Sequence, residues 1–110
     1  MNPIKMQQQH EKLKKLLSSI IVTGTSKNGK VTVTINGEQK IQTIDIDPAL
    51  IEFVYENFIK EGKPDALLGK AIIEAFEKAV EDVQKAVVTQ LQQTGGINDL
   101  MGMLKDAGNI

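Results

Sequence analysis

The sequence predicts an α+β fold in the order α-β-β-β-α-α. Its sheet is a three-stranded antiparallel meander, its helices are long enough to project beyond that sheet, and the unit is a homodimer. Three observations lead there. The apolar period changes from 3.6 to 2 at Ile20. Two Asn-Gly pairs, Asn28-Gly29 and Asn36-Gly37, punctuate the β-branched stretch that follows. Beyond Pro48 the helical period returns and, with one break at Gly62-Lys63-Pro64, continues to Gly95-Gly96.

Residues 3–19 read as the first helix. Leu13, Leu16, Leu17 and Ile20 form an apolar stripe, whereas Gln7, Gln8, Gln9 and His10 leave the first half of the helix with little to bury. Ile20, Ile21, Val22 and Thr23 favour a strand because branched Cβ atoms suit the pleat. Val31-Thr32-Val33-Thr34-Ile35 then alternates apolar with threonine, the pattern of a strand buried on one face. A third strand runs from about Gln39 to Asp45. Ile41 is out of step with Ile44 and Ile46, so either a bulge near Gln42-Thr43 or a strand buried on two faces is expected.

Asp47-Pro48 opens the second helix, with aspartate as cap and proline in the first turn. Leu50, Val54 and Phe58 are its inward stripe. The third helix is expected from about Asp65 to Gln93, roughly 43 Å at 1.5 Å per residue. Its apolar stripe is Leu68, Ile72, Phe76, Ala79, Val83, Val87 and Leu91, and Glu74–Lys78 and Glu81–Lys85 form i, i+4 pairs on its wet side. Helices of this length outrun a sheet of three short strands. A single sheet face so poorly covered argues for a two-fold dimer. One domain is expected over residues 1–96, followed by a weakly ordered tail, 97–110.

Composition narrows the chemistry. The 110 residues include no cysteine, so disulfides, thiolate nucleophiles and cysteine-ligated metals are excluded. No apolar run reaches the roughly 20 residues of a membrane helix. The N-terminus lacks a basic stretch followed by an apolar one, so a cytoplasmic protein is expected. The net charge of −1 hides an asymmetry. Residues 1–43 hold seven lysines against Glu11 and Glu38, and residues 44–110 hold six lysines against twelve acids. A basic first half attracts polyanions; the plainer reading is a solvated lysine surface.

Residues 24–31, GTSKNGKV, carry the Gly-x4-Gly-Lys spacing of a phosphate-binding loop. Val31 stands where that loop places a magnesium-binding hydroxyl, and a strand follows where it needs a helix N-terminus. The stretch is therefore a hairpin with Lys27 and Lys30 at its tip. His10, the only histidine, has Lys14 at i+4 where a second metal ligand would stand. Asp45 and Asp47 could form a carboxylate pair, but Asp47 is better used as a cap. No catalytic site, cofactor site or metal site follows.

The lysines remain. Lys5, Lys12 and Lys15 lie along one side of the first helix, and Lys14 lies nearby on another side. There is no arginine to fork onto guanine, so any DNA binding would be led by the backbone phosphates and sensitive to salt.

Val22-Thr23-Gly24, Gly29 to Gly37 and Ile46-Asp47-Pro48, between a Met/Gln/Lys-rich helix and a long alanine-containing one, resemble the YbaB/EbfC family of nucleoid-associated proteins. The resemblance covers roughly residues 4–93. It implies a small bacterial homodimer whose sheets join centrally and whose helices project like tweezers. It further implies double-stranded DNA as partner and a role in nucleoid organisation and gene regulation. Charged residues of the first and long helices are the implied contacts, which here are Lys12, Lys14 and Lys15, with Lys78 and Lys85. Neither an enzyme, a membrane nor a small-molecule substrate is implied. A protein-interaction scaffold of the same fold is the alternative.

Overall fold

The middle strand organises the molecule. In the computed structural model, which describes residues 3–93, α1 (Pro3–Ser19) leads into β1 (Ile21–Thr25), β2 (Val31–Asn36) and β3 (Ile41–Ile46). Then come α2 (Pro48–Asn57), a 3-10 turn (Ile59–Glu61) and α3 (Leu68–Gln93). The sheet is antiparallel in the order β1-β2-β3. Val31, Val33 and Ile35 of β2 are wholly buried on one face. Their alternation with threonine is what selected a strand, because period 2 puts all three on one side. The tail and the boundary expected at residues 96/97 lie outside the described residues.

β3 joins with the expected bulge. Thr34 pairs with Thr43 but Ile35 pairs with Ile41, leaving Gln42 as the extra residue. The bulge corrects the parity of the sequence: Ile41, Ile44 and Ile46 stand opposite Ile35, Val33 and Val31 and so share their face.

α3 packs across β1 and β2. Its buried residues are Ala71, Ala75, Ala79, Val83 and Leu91. The stripe expected from large apolar residues is thus turned toward alanines, while Leu68, Ile72, Phe76 and Val87 are half-buried at its side. Gly24 supplies the reason. A Cβ built there would lie 2.3 Å from both Ala75 O and Ala79 N, so backbone meets backbone and only small residues fit. α3 leaves β3 uncovered, and Ile41 and Ile44 remain 50% and 42% exposed on the face that should be core.

Helix starts are built from aspartates. Asp47 accepts from Ala49 N at 2.9 Å and Pro48 follows it, as expected. Leu50 and Val54 are buried and Phe58 packs at the edge of the core. Asp65 was expected inside α3 but serves as its cap. Its Oδ1 accepts from Leu67 N and Leu68 N, and its Oδ2 from Gly69 N. The helix therefore begins at Leu68.

Candidate nucleic-acid interface

The lysines singled out from the sequence occupy three places. Lys12, Lys14 and Lys15 are exposed on α1, which carries four lysines against Glu11. Lys5 lies in the first turn of α1, and its side chain is outside those described. Lys27 and Lys30 sit at the β1–β2 turn. Lys78 and Lys85 lie on α3, where three lysines face four acids.

These places differ in electrostatics. Lys78 pairs with Asp82 at 3.4 Å, and Lys85 with Glu81 at 3.7 Å. The expected Glu81–Lys85 pair is present, but Lys78 turns to Asp82 rather than to Glu74. Both orientations are i, i+4, so helix spacing alone did not choose between them. Lys30 Nζ reaches Asp47 Oδ2 at 3.4 Å. Exposed pairs of this kind are worth about 0–1 kcal/mol each. Their consequence for a polyanion is larger, because the carboxylate stays beside any phosphate the lysine meets. Among the described residues, Lys12, Lys14, Lys15 and Lys27 enter no ion pair. The structure thus separates unpaired candidates on α1 and the hairpin tip from paired ones on α3 and at Lys30.

The hairpin itself is held without any ligand. Ser26 Oγ donates to Asn28 Oδ1 at 2.6 Å, Val31 N donates to Ser26 Oγ, and Gly29 takes a left-handed φ of 74°. Val31 then opens β2, as the strand reading required. His10 and Asp45 are exposed, and no cluster of metal-ligating side chains occurs among the described residues. No helix of the described residues is long and apolar enough to cross a membrane.

The YbaB/EbfC DNA-binding family model matches residues 4–98. The chain belongs to this family. A nucleoid-associated protein of Legionella pneumophila is 33% identical over 101 residues, spanning 89% of this chain and 82% of its own. One from Chloroflexus aurantiacus is 30% identical over 98 residues, covering 86% and 87% respectively. The uncharacterized protein HP0035 of Helicobacter pylori shares the fold, with a TM-score of 0.50 and 22% identity over 74% of this chain and 84% of its own. In this YbaB/EbfC member α1 carries four lysines against one acid, and the long helix carries three lysines against four acids.

Among the lysines not singled out from the sequence is Lys40. Lys40 is exposed, enters no ion pair among the described residues, and lies in the turn that docks on the end of α1. The signal available in advance was the long loop between Asn36 and Ile41, which a two-residue Asn-Gly turn does not need.

Proposed function

We propose that this YbaB/EbfC protein binds double-stranded DNA as a homodimer, through backbone phosphates and with low sequence specificity. It thereby contributes to nucleoid organisation and gene regulation in the cytoplasm, without catalysis or cofactor. The observation that carries the reading is the set of unpaired lysines on α1, Lys12, Lys14 and Lys15, set against the paired Lys30, Lys78 and Lys85. The absence of arginine removes the bidentate fork for guanine and favours contacts without sequence information. Two uncovered isoleucines on the core face of edge strand β3 support a second copy as partner. The domain unit we assign is residues 1–96.

Duplex binding across a salt series tests it. Three lysines from each of two protomers would neutralise about six phosphates, giving a log–log slope near −5. Affinity should then fall by about 10³-fold between 50 and 200 mM salt. Replacing Lys12, Lys14 and Lys15 with alanine should flatten that slope. No binding by the wild-type protein at about 50 mM salt would reject the reading.

A second reading is supported by the α2 region. Ile51, Phe53, Tyr55 and Ile59 are 44–55% exposed there, more apolar surface than a short connecting helix needs. On this reading the fold is a scaffold for another protein. The same salt series separates the two.

A further inference from the structure

We propose that Lys40 extends the phosphate-binding surface of α1, so that the contact is made by a helix and a turn held together. The inference rests on the DNA-binding reading above. It starts from the β2–β3 turn, which is unusually well fixed. Asn36 is buried, and its Oδ1 accepts from Glu38 N at 2.9 Å and from Lys40 N at 3.1 Å. Asn36 N donates to Lys40 O, and Gln39 N donates to Asn36 O. Four hydrogen bonds around one asparagine thus hold the backbone that carries Lys40.

The turn is in turn fastened to α1. Gly37 N donates to Leu17 O at 2.9 Å. A Cβ at Gly37 would stand 2.5 Å from that same oxygen, so glycine is required here for approach and not for a positive φ. Ser18 Oγ reaches back to Lys14 O and stands 3.0 Å from Glu38 Oε1. One hydroxyl therefore links the helical turn of Lys14 to the loop of Lys40. A cation whose backbone is already ordered, on a turn bonded to the end of α1, loses less freedom on meeting a phosphate than one on a loose loop.

Lys40 enters no ion pair among the described residues, unlike Lys30, Lys78 and Lys85. The adjacent Glu38 opposes the phosphate and lowers the affinity that Lys40 adds.

The test uses the full chain, a labelled duplex of arbitrary sequence, and salt from 50 to 200 mM. Lys40→Gln should lessen the log–log slope by about 1.8 if both protomers lose a contact, which is about a 12-fold smaller affinity gap at 200 mM than at 50 mM. Glu38→Gln, which keeps an acceptor for Ser18, should raise affinity. Lys70→Gln removes another exposed lysine, unpaired among the described residues, from the start of α3, and should leave the slope unchanged. If the wild-type protein binds and Lys40→Gln leaves its slope intact, the inference fails while the DNA reading stands. If Lys70→Gln flattens the slope equally, the effect is one of net charge and the placement is overturned. Absence of wild-type binding would refute both.

Discussion

Gly24→Ala should destabilise this protein more than any other single methyl addition in the sheet. The new Cβ would lie 2.3 Å from Ala75 O and Ala79 N and 2.8 Å from Ala79 Cα. These are backbone atoms of a helix whose Ala71, Ala75, Ala79 and Val83 are buried against the sheet, so no side chain can swing aside. Normal contact needs about 3.4 Å or more, and α3 must lift by about 1 Å along its buried stripe. Overpacking of this kind costs about 1–3 kcal/mol. In a domain of this size about 3 kcal/mol lowers Tm by more than 10 °C. Thermal and urea melts at fixed protomer concentration measure it, since dimerisation would otherwise shift both curves. Gly29→Ala is the control: its φ is 74° but nothing lies within 4 Å of the added methyl, so it bears only the left-handed backbone cost of about 1–2 kcal/mol. A Gly24→Ala protein within about 0.5 kcal/mol of wild type would show that α3 does not rest on β1 through this contact.

Other outcomes follow from the same structure. If β3 carries the proposed two-fold contact, Ile44→Asp on its uncovered core face should shift the mass measured by light scattering from dimer to monomer, with the secondary structure retained. Asp65→Ala should lower Tm at neutral pH. The amides of Leu68, Leu67 and Gly69 hold this carboxyl below the ordinary 3.8. A depressed folded value adds stability above the unfolded pKa and loses it as pH falls, so the gap between variant and wild type should close through that acid range. Asp47 is also lowered, first by the Ala49 amide and then by Lys30, and Asp47→Ala should show the same pH signature. Lys78→Ala and Lys85→Ala should each change the salt slope of DNA binding far less than Lys12→Ala, because Asp82 and Glu81 already answer those charges.

The strands were legible because steric chemistry is local there. Branched residues alternating with threonine leave one choice of face, and the misfit of Ile41 with Ile44 pointed to a bulge or a second buried face, of which the structure takes the bulge at Gln42. Asp47-Pro48 announced its helix just as directly. The face of α3 was harder to read, because a search for large apolar residues passes over alanines. Ala75 and Ala79 meet β1 backbone to backbone because Gly24 carries no side chain, a contact across some fifty residues of sequence. Gly37 looked like half of an Asn-Gly turn, yet its neighbour is Leu17 O, and Gln39 takes the positive φ. On the candidate interface, sequence located the α1 lysines. It could not say which lysines on the rest of the surface were already paired, since Lys30 meets an acid seventeen positions away and Lys78 chooses between two on its own helix.

The crossing of α3 over Gly24 also has a mechanical side. The contact grips the helix at Ala75 and Ala79, and Gln93 stands fourteen residues further on, about 21 Å along the axis. Gly24 thus sits under the helix about a third of the way along it, with Val83 and Leu91 buried beyond. A tilt of about 10° there displaces the far end by about 4 Å, comparable to the rise of one base pair of a duplex. In a two-fold assembly the span between opposing arms would change by twice that amount. The choice of glycine and alanine at one crossing therefore bears on where the far end of α3 stands.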